Sequence, residues 1–331
     1  MRVSHYFEWE EQITGGHAQS VRQQRQILER LGIDYTTEPD LTADVLHLNN
    51  MGPKSVYYAR KARQRDLPVV VHAHQTAEDF EESFAFSNAL ARPLRPYLEY
   101  AYSLADLLVC PSEHNREVIE GYVDVPTVVV SNGFDPDRLT GFESLRAEYR
   151  DRYDLDGLVA FMVGHVIERK GLSAFVETAR EMPDVEFVWF GYLDPTGGGA
   201  VDRLLRSRTT TKTVENAPEN CTFTGYVEDI RGAFAAGDAF FFPTKNENEG
   251  MALLEAMACG KPPVVRDIPT FEWLEEDTHC LKAERDFAEP LDRLRDADLR
   301  DRLGANAAAK SEQFEVGNVA ERYEDVYGRV I

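Results

Sequence analysis

Cysteine is scarce and scattered in this chain of 331 residues: Cys110, Cys221, Cys259 and Cys280 form no C-x-x-C pair. A chain long enough to bury its own cores is no disulfide-held mini-protein, and this spacing fits a reducing compartment better than a disulfide framework or zinc site, so each thiol is expected as a small apolar group in or near a strand. Long apolar runs are missing as well. No stretch approaches the roughly 18 apolar residues that span a bilayer. The start, MRVSHYFEWEEQ, turns acidic by Glu8 where a signal peptide would continue apolar. A cytoplasmic protein is expected, at most resting peripherally on the inner face of the cell membrane. Positive charge is also short, 36 Lys and Arg against 58 Asp and Glu for a net charge of −22. That sets nucleic acid aside as a partner. Acid dispersed along the whole chain keeps a protein soluble where salt shortens the Debye length to about 3 Å at 1 M. A salt-loving source fits this texture, and an ordinary acidic enzyme is the alternative.

What is present is an alternation of short β-branched and aromatic runs with helical patterns, the signature of parallel strands joined by crossover helices. RVSHYF (2–7), DVLHLNN (44–50), LPVVVHAH (67–74), ADLLVCPS (105–112) and TVVVSN (127–132) read as strands. A helix over 17–31 is predicted after the first, with Val21, Leu28 and Leu31 on one face and Gly32 as a cap past its end. Gly, Pro and Asp cluster at 132–144, and the alternation restarts with LVAFMVGH (158–165), VEFVWFGY (185–192), CTFTGY (221–226), DAFFFPT (238–244) and KPPVVRD (261–267). The expectation is an α/β fold of two Rossmann-like domains, 1–135 and 136–315, facing across a cleft. A terminal helix over 316–331, with Val319, Tyr323 and Val326 or Tyr327 on one face, is expected to pack back on the first domain. Ligands of open α/β sheets bind beyond the carboxyl ends of the strands, so the residues just after each strand are the candidates for chemistry.

ITGGHAQSV (13–21) sets Gly15 and Gly16 at a helix entrance, where backbone N–H groups and the positive helix end suit a phosphate. A tight turn is the simpler reading of so short a pair. Neither G-x-G-x-x-G nor G-x-x-x-x-G-K-[ST] occurs, which speaks against a dinucleotide or P-loop site. GHVIERKGL (164–172) puts Arg169 and Lys170 just before a helix. The helix dipole disfavours cations there, so an anionic ligand such as a diphosphate accounts for them better than solvent does. In TKNENEGMALLEAMACGKPPVV (244–265), Glu247 and Glu255 are separated by seven residues with Gly250 between them. A carboxylate beside Leu253, Leu254 and Met257 is costly to bury unless it accepts hydrogen bonds, which sugar or ribose hydroxyls would donate. The alternative is a glutamate that merely favours the helix dipole. Asp135-Pro136-Asp137 reads as a turn, and no metal is expected.

SNGFD, GHVIERKGL, FTGYVED and ENEGMALLEAMACGKPPVV together resemble the retaining glycosyltransferases of family 4, which have the GT-B fold and an E-x7-E motif. VVVHAHQTAEDFEESFAFSN (69–88) is similar to the bacterial enzymes that glucosylate diacylglycerol. The resemblance implies a hexosyltransferase that takes a UDP- or GDP-linked sugar as substrate and uses no cofactor. It implies that Glu255 holds the ribose, Glu247 the hexose hydroxyls, and Arg169 and Lys170 the diphosphate. Gly15 and Gly16 would let the first loop approach donor and acceptor, and backbone at Thr224, Gly225 and Tyr226 would meet the base. Gly164, Glu249, Gly250 and Met251 would complete the donor side, with His74 against the sugar. A metal site at His72 and His74 is a lesser reading without further ligands. Many relatives follow the glycine of the phosphate segment with Arg, whereas Gly164 is followed here by His165. Either Arg169 takes that role or the site has one cation fewer. No carboxylate is placed as a nucleophile, so the resemblance implies same-face attack, the leaving phosphate oxygen helping to deprotonate the acceptor.

The acceptor is read from GPKSVYYARKARQR (52–65), which holds Lys54, Arg60, Lys61, Arg63 and Arg65 and no acid. Basic and aromatic residues on one helix suit an anionic membrane surface, with ARPLRPYLEYAYSLA (91–105) as an apolar partner surface; a solvated helix face is the plainer alternative. The leading expectation is hexose transfer to a membrane lipid. Extension of a lipid-linked oligosaccharide or other glycan, and non-catalytic nucleotide-sugar binding, are the alternatives.

Overall fold

The computed structural model describes residues 1–80, 87–193 and 208–331, and these fall into two compact units: 1–80, 87–134 and 314–331 in one, 135–313 in the other. Residues 81–86 of the 69–88 segment lie outside the described residues.

In the first unit the strands β1 (Arg2–Tyr6), β2 (Asp34–Thr36), β3 (Val45–Leu48), β4 (Val69–His72), β5 (Leu107–Cys110) and β6 (Thr127–Val129) lie parallel in the order β2-β1-β3-β4-β5-β6. Parallel pairing requires crossovers, and α1 (Gly16–Arg30), α2 (Pro53–Arg63), α3 (Ser87–Tyr102) and α4 (Glu113–Glu120) supply them. Successive strand side chains point to opposite faces, so each strand feeds two cores. Leu46, Leu48, Val69, Val71 and Leu108 pack with Ala59 and Ala62 of α2 and Leu98, Ala101 and Tyr102 of α3. Val3, Val45, Val70, Leu107 and Val109 pack on the other side with Ile27 and Leu28 of α1. Leu98, Ala101 and Tyr102 of the 91–105 segment are thus taken up inside this unit, while Tyr100 of the same segment is 46% exposed.

The second unit repeats the plan with β7 (Val159–Val163), β8 (Glu186–Phe190), β9 (Cys221–Gly225), β10 (Ala239–Phe242), β11 (Pro263–Arg266) and β12 (Leu281–Ala283), parallel in the order β12-β11-β10-β7-β8-β9. Its helices are α5 (Arg146–Arg152), α6 (Leu172–Glu181), α7 (Arg208–Glu215), α8 (Ile230–Ala236), α9 (Met251–Ala258), α10 (Ala288–Arg293) and α11 (Ala297–Ser311). Aromatic rings fill the core, Phe175 against Trp189 at 5.0 Å and against Phe241 at 5.4 Å between centroids.

The chain re-enters the first unit beside the point where it left. Phe134 N–H donates to Phe314 O at 3.0 Å, and Val316 N–H donates to Phe134 O at 2.9 Å. From there α12 (Val316–Gly328) lays Val316, Val319, Tyr323, Val326 and Tyr327 into the core against α1. β2 and β12 leave no strand signal in the sequence, since DYT and LKA are three-residue edge strands without an apolar run. Cys259 ends α9 instead of joining a strand. All four cysteines are free thiols, and burial pushes each up to about 12. Among the described residues no helix is long and apolar enough to cross a membrane.

Candidate functional site

In the second unit the carboxyl ends of β7 and β10 are drawn together by one glycine. Gly171 is left-handed (φ 86°) and a Cβ there would overlap the Pro243 carbonyl, so only glycine lets the 168–170 turn approach the end of β10. Lys245 N–H donates to Arg169 O at 2.8 Å, and the Arg169 guanidinium donates to Asn246 O at 3.0 Å. This closure brings Lys170 into an ion pair with Glu247, two residues 77 apart in sequence. Thr244 Oγ1 lies 3.1 Å from the same Glu247 carboxylate oxygen, and Thr270 Oγ1 donates to Glu247 O at 2.8 Å. Glu247 is buried, so its oxygens are held in place before any ligand arrives.

Glu249 is buried next to Gly250, whose left-handed conformation (φ 93°) opens α9 at Met251 between the rings of Phe242 and Phe271. Four residues into this apolar helix lies Glu255. Its partner is Arg138, which donates at 2.8 Å from the short helix Pro136–Leu139. Burial pushes the Glu255 carboxyl above its ordinary range, and the Arg138 cation works against that shift. Sequence reasoning missed Arg138 because it sits 117 residues away, in a segment read only as a linker. Asp135 there caps Pro136–Leu139, accepting from Asp137 N–H at 3.0 Å.

A third cluster lies at the ends of β7, β8 and β9. Gly191 approaches Gly164 so closely that a Cβ would overlap its carbonyl, and Gly191 N–H donates to Gly225 O at 2.9 Å. Thr224 Oγ1 donates to Gly225 O at 2.8 Å. Tyr192 and Tyr226 stack at 4.6 Å, with Tyr226 59% exposed. His165 lies 6.0 Å from Tyr192, and burial, then the charges of Lys170 and Arg169, lower its pKa to about 4. Near neutral pH it is therefore uncharged, which leaves Arg169 and Lys170 as the cations of this segment.

The first unit holds the remaining candidates. Gly15 caps α1 at φ 74°, ψ −149°, a region essentially reserved for glycine, and Gly16 is the first helical residue; both are exposed. His74 follows β4. Its ring stacks on His72 at 4.0 Å and packs against His17 at 4.4 Å, while His47 lies 6.1 Å from His72 and 4.9 Å from His5. Five of the eight histidines thus share one cluster, a feature invisible in a sequence that spreads them from residue 5 to residue 74. Burial lowers all five: His5 and His17 to about 4, His72 to about 3, His47 and His74 well below the ordinary value. Among the described residues no group of three or more His, Cys, Asp or Glu is arranged to hold a metal ion.

Two parallel α/β units, each with its candidate groups at the carboxyl ends of its strands, define the GT-B class of glycosyltransferase. Residues 14–138 match the family described as Glycosyltransferase Family 4, and residues 157–296 match Glycosyl transferases group 1. The processive diacylglycerol alpha-glucosyltransferase of Acholeplasma laidlawii is 37% identical over 80% of this chain and 78% of its own length. The alpha-galactosylglucosyldiacylglycerol synthase of Streptococcus pneumoniae is 34% identical over 37% of this chain and 32% of its own. In fold, the chain is similar to Anabaena HepE, solved with UDP-glucose (TM-score 0.76, 17% identity, 99% and 100% of the two chains covered). It is similar also to sucrose-phosphate synthase of Thermosynechococcus elongatus (TM-score 0.80, 17% identity, 100% and 99% covered). This chain belongs to glycosyltransferase family 4, and it is an enzyme.

Proposed function

We propose that the enzyme moves a hexose from a UDP- or GDP-linked donor to the hydroxyl of a membrane lipid, with retention at the anomeric carbon. The observation that carries the reading is the Lys170–Glu247 pair, set beside Arg169 and the start of α9. Breaking the anomeric C–O bond builds negative charge on the leaving diphosphate, and fixed cations and helix N–H groups answer that charge without reorganising. In this reading Arg169 and Lys170 hold the diphosphate, and Glu247 accepts from hexose hydroxyls. Glu255 exchanges its bond with Arg138 for the ribose hydroxyls, and backbone at Gly164, Gly250 and Met251 approaches the phosphates and sugar, beside Glu249. Thr224, Gly225 and the exposed face of Tyr226 meet the base. Residues 1–135 form the acceptor side, with Gly15, Gly16 and His74 against the sugar, residues 136–315 the donor side, and 316–331 the returning helix. The leaving phosphate oxygen takes the acceptor proton as the new bond forms on the same face.

A lipid acceptor is supported by the 37% identical relative that acts on diacylglycerol. It is also supported by α2, which turns Lys54, Arg60 and a 56% exposed Tyr57 to solvent. On an anionic surface each such cation contributes about 1 kcal/mol. This reading places the enzyme on the cytoplasmic face of the membrane, in a cell whose salt offsets the net charge of −22.

A thermal-shift screen of UDP- and GDP-linked hexoses tests the donor half. The true donor at 100 times its dissociation constant stabilises by about 2.7 kcal/mol, and Glu255→Gln weakens its affinity roughly tenfold by removing a charge-assisted acceptor. Unchanged affinity in a folded Glu255→Gln variant overturns the ribose assignment.

A further inference from the structure

Trp9 stands apart in the backbone of the first unit. Among the described residues, four besides glycine have a left-handed φ: Trp9 at 61°, Asp66, Asp154 and Asp277. Aspartate tolerates that region because its short side chain bonds locally, whereas a bulky ring there is strained. The turn that imposes the strain is fastened on both sides. Before Trp9, buried Glu8 donates its N–H to Asn50 Oδ1 at 3.0 Å and accepts at its carbonyl from Asn50 Nδ2 at 2.7 Å. After it, Trp9 O accepts from Gln12 N–H at 2.9 Å and from Ile13 N–H at 3.1 Å, and Ile13 packs on Phe7, Ala18 and Val21. Glu10 is tied to Arg25 at 2.5 and 2.8 Å. Within this frame the indole is left 50% exposed. A strained backbone thus presents to solvent a side chain that water does not favour.

The same turn reaches α2. The Glu8 carboxylate accepts from Lys54 N–H and Ser55 N–H, so Trp9, its neighbour in the chain, stands at the amino end of that helix. From there Lys54, Tyr57 and Arg60 are all exposed, and their spacing lines them along one side of a helix. Lys61 places its ammonium 5.8 Å from the Tyr57 ring centroid. Between Pro53 and Arg63 there is no acid. Aromatic rings beside cations suit the headgroup level of a bilayer. Charge alone is a weak basis for docking here, because the chain carries a net charge of −22 and salt shortens the reach of the α2 cations to about 3 Å at 1 M. Apolar contact is not screened in this way. Exposed Glu10 and Glu11 flank Trp9, so what the indole adds is apolar and the charge comes from α2.

We propose that Trp9 is an interfacial anchor, an indole held out by a strained and fastened turn that seats in the headgroup–acyl boundary of a lipid bilayer while Lys54, Tyr57 and Arg60 lie on its anionic surface. The inference rests on the reading of a lipid acceptor and adds to it a residue that acts independently of salt. Fastening Glu8 to both Asn50 and α2 keeps the indole and the basic helix in one fixed arrangement, so the bilayer meets a surface that needs no ordering when it binds.

The test titrates the full chain with vesicles of phosphatidylcholine and phosphatidylglycerol at roughly 0.1 and 1 M salt. Parent tryptophan emission is expected to shift to the blue and to be quenched by lipids brominated on the acyl chain. Both responses should vanish in Trp9→Asn, which keeps Trp189 and Trp273. Asparagine accepts a left-handed φ, so this variant should unfold at the parent's Tm or above it, and Trp9→Gly is a second variant of the same kind. Vesicle affinity should fall about tenfold in Trp9→Asn at both salt levels, whereas Lys54→Gln with Arg60→Gln should lower it at low salt alone. Turnover with dioleoylglycerol in vesicles should fall with affinity, and turnover with water-soluble dihexanoylglycerol should hold. Parent affinity in Trp9→Asn, or a lower Tm in both variants, overturns the anchor. Equal loss with both acceptors overturns it as well, by placing Trp9 at the acceptor itself. A parent that glycosylates neither diacylglycerol overturns the lipid reading, and vesicle binding, measured without substrate, keeps that failure separate from failure of the anchor.

Discussion

Glu255 shows what a single buried charge requires. The carboxylate lies among Leu253, Leu254 and Met257 in a helix with little polar surface, and Arg138 donates to it at 2.8 Å. Arg138→Ala removes the cation and leaves the carboxylate buried, a loss of about 1–3 kcal/mol for an unsatisfied group. Glu255→Gln then relieves that variant, because a neutral amide is cheaper to bury. Thermal unfolding of the two single variants and the double variant forms a cycle. Arg138→Ala with Glu255→Gln is expected to be more stable than Arg138→Ala alone, and strictly additive losses would deny the coupling.

At the scale of elements, α2 is held by a residue from another element. None of its own side chains caps it. Glu8, buried just past β1, instead accepts from Ser55 N–H at 2.8 Å and Lys54 N–H at 3.2 Å. Gly52 completes the arrangement, since a Cβ there would overlap the Glu8 carboxylate. Glu8→Ala is expected to cost about 1–2 kcal/mol, the value of a lost N-cap, and to loosen the basic helix. Sedimentation with anionic vesicles should fall together with stability in this variant. Replacing Lys54 and Arg60 by Gln should lower vesicle binding with stability preserved, because both side chains are exposed on α2; equal binding there would leave α2 an ordinary solvated helix.

Glu8 and Arg138 also mark where reading the sequence stops. Ten strands and the helices α1, α9 and α12 are legible because each is a continuous apolar run or a one-sided helical pattern. β2 and β12 are not, since edge pairing asks little of side chains. Gly250, Glu247 and Lys170 announce themselves by residue type and spacing. Arg138, the partner of Glu255, does not, because only the folded chain brings it across a gap of 117 residues that no local pattern spans.

For the whole molecule, histidine burial dictates the acid limit. His5, His47 and His72 are fully buried with pKa values depressed from 6.5. Above pH 6.5 they are neutral folded or unfolded and contribute no pH dependence. Below it the unfolded chain takes up protons that the folded chain refuses, so stability falls with pH, by about 4 kcal/mol per pH unit for three such groups between 6.5 and about 4. His17 and His74 act in the same direction. Glu255, raised by burial, acts in the opposite one, and the hydrogen-bonded Asp40, Asp184 and Asp229 lose their contribution only below 3.8. Urea unfolding at pH 7.5, 6.0 and 5.0 should show a steep loss below 6.5, and a flat profile would mean that the histidines are solvated.

Retaining transfer of a hexose to lipid decides the proposed function. The purified chain, given the donor that the thermal screen selects and diacylglycerol in anionic vesicles with EDTA present, should release the nucleoside diphosphate and form one glycolipid. Proton NMR of that glycolipid should show the α-anomeric linkage, and Lys170→Ala should abolish most of the turnover. Nucleotide release without a lipid product, or a product of β configuration, would contradict it.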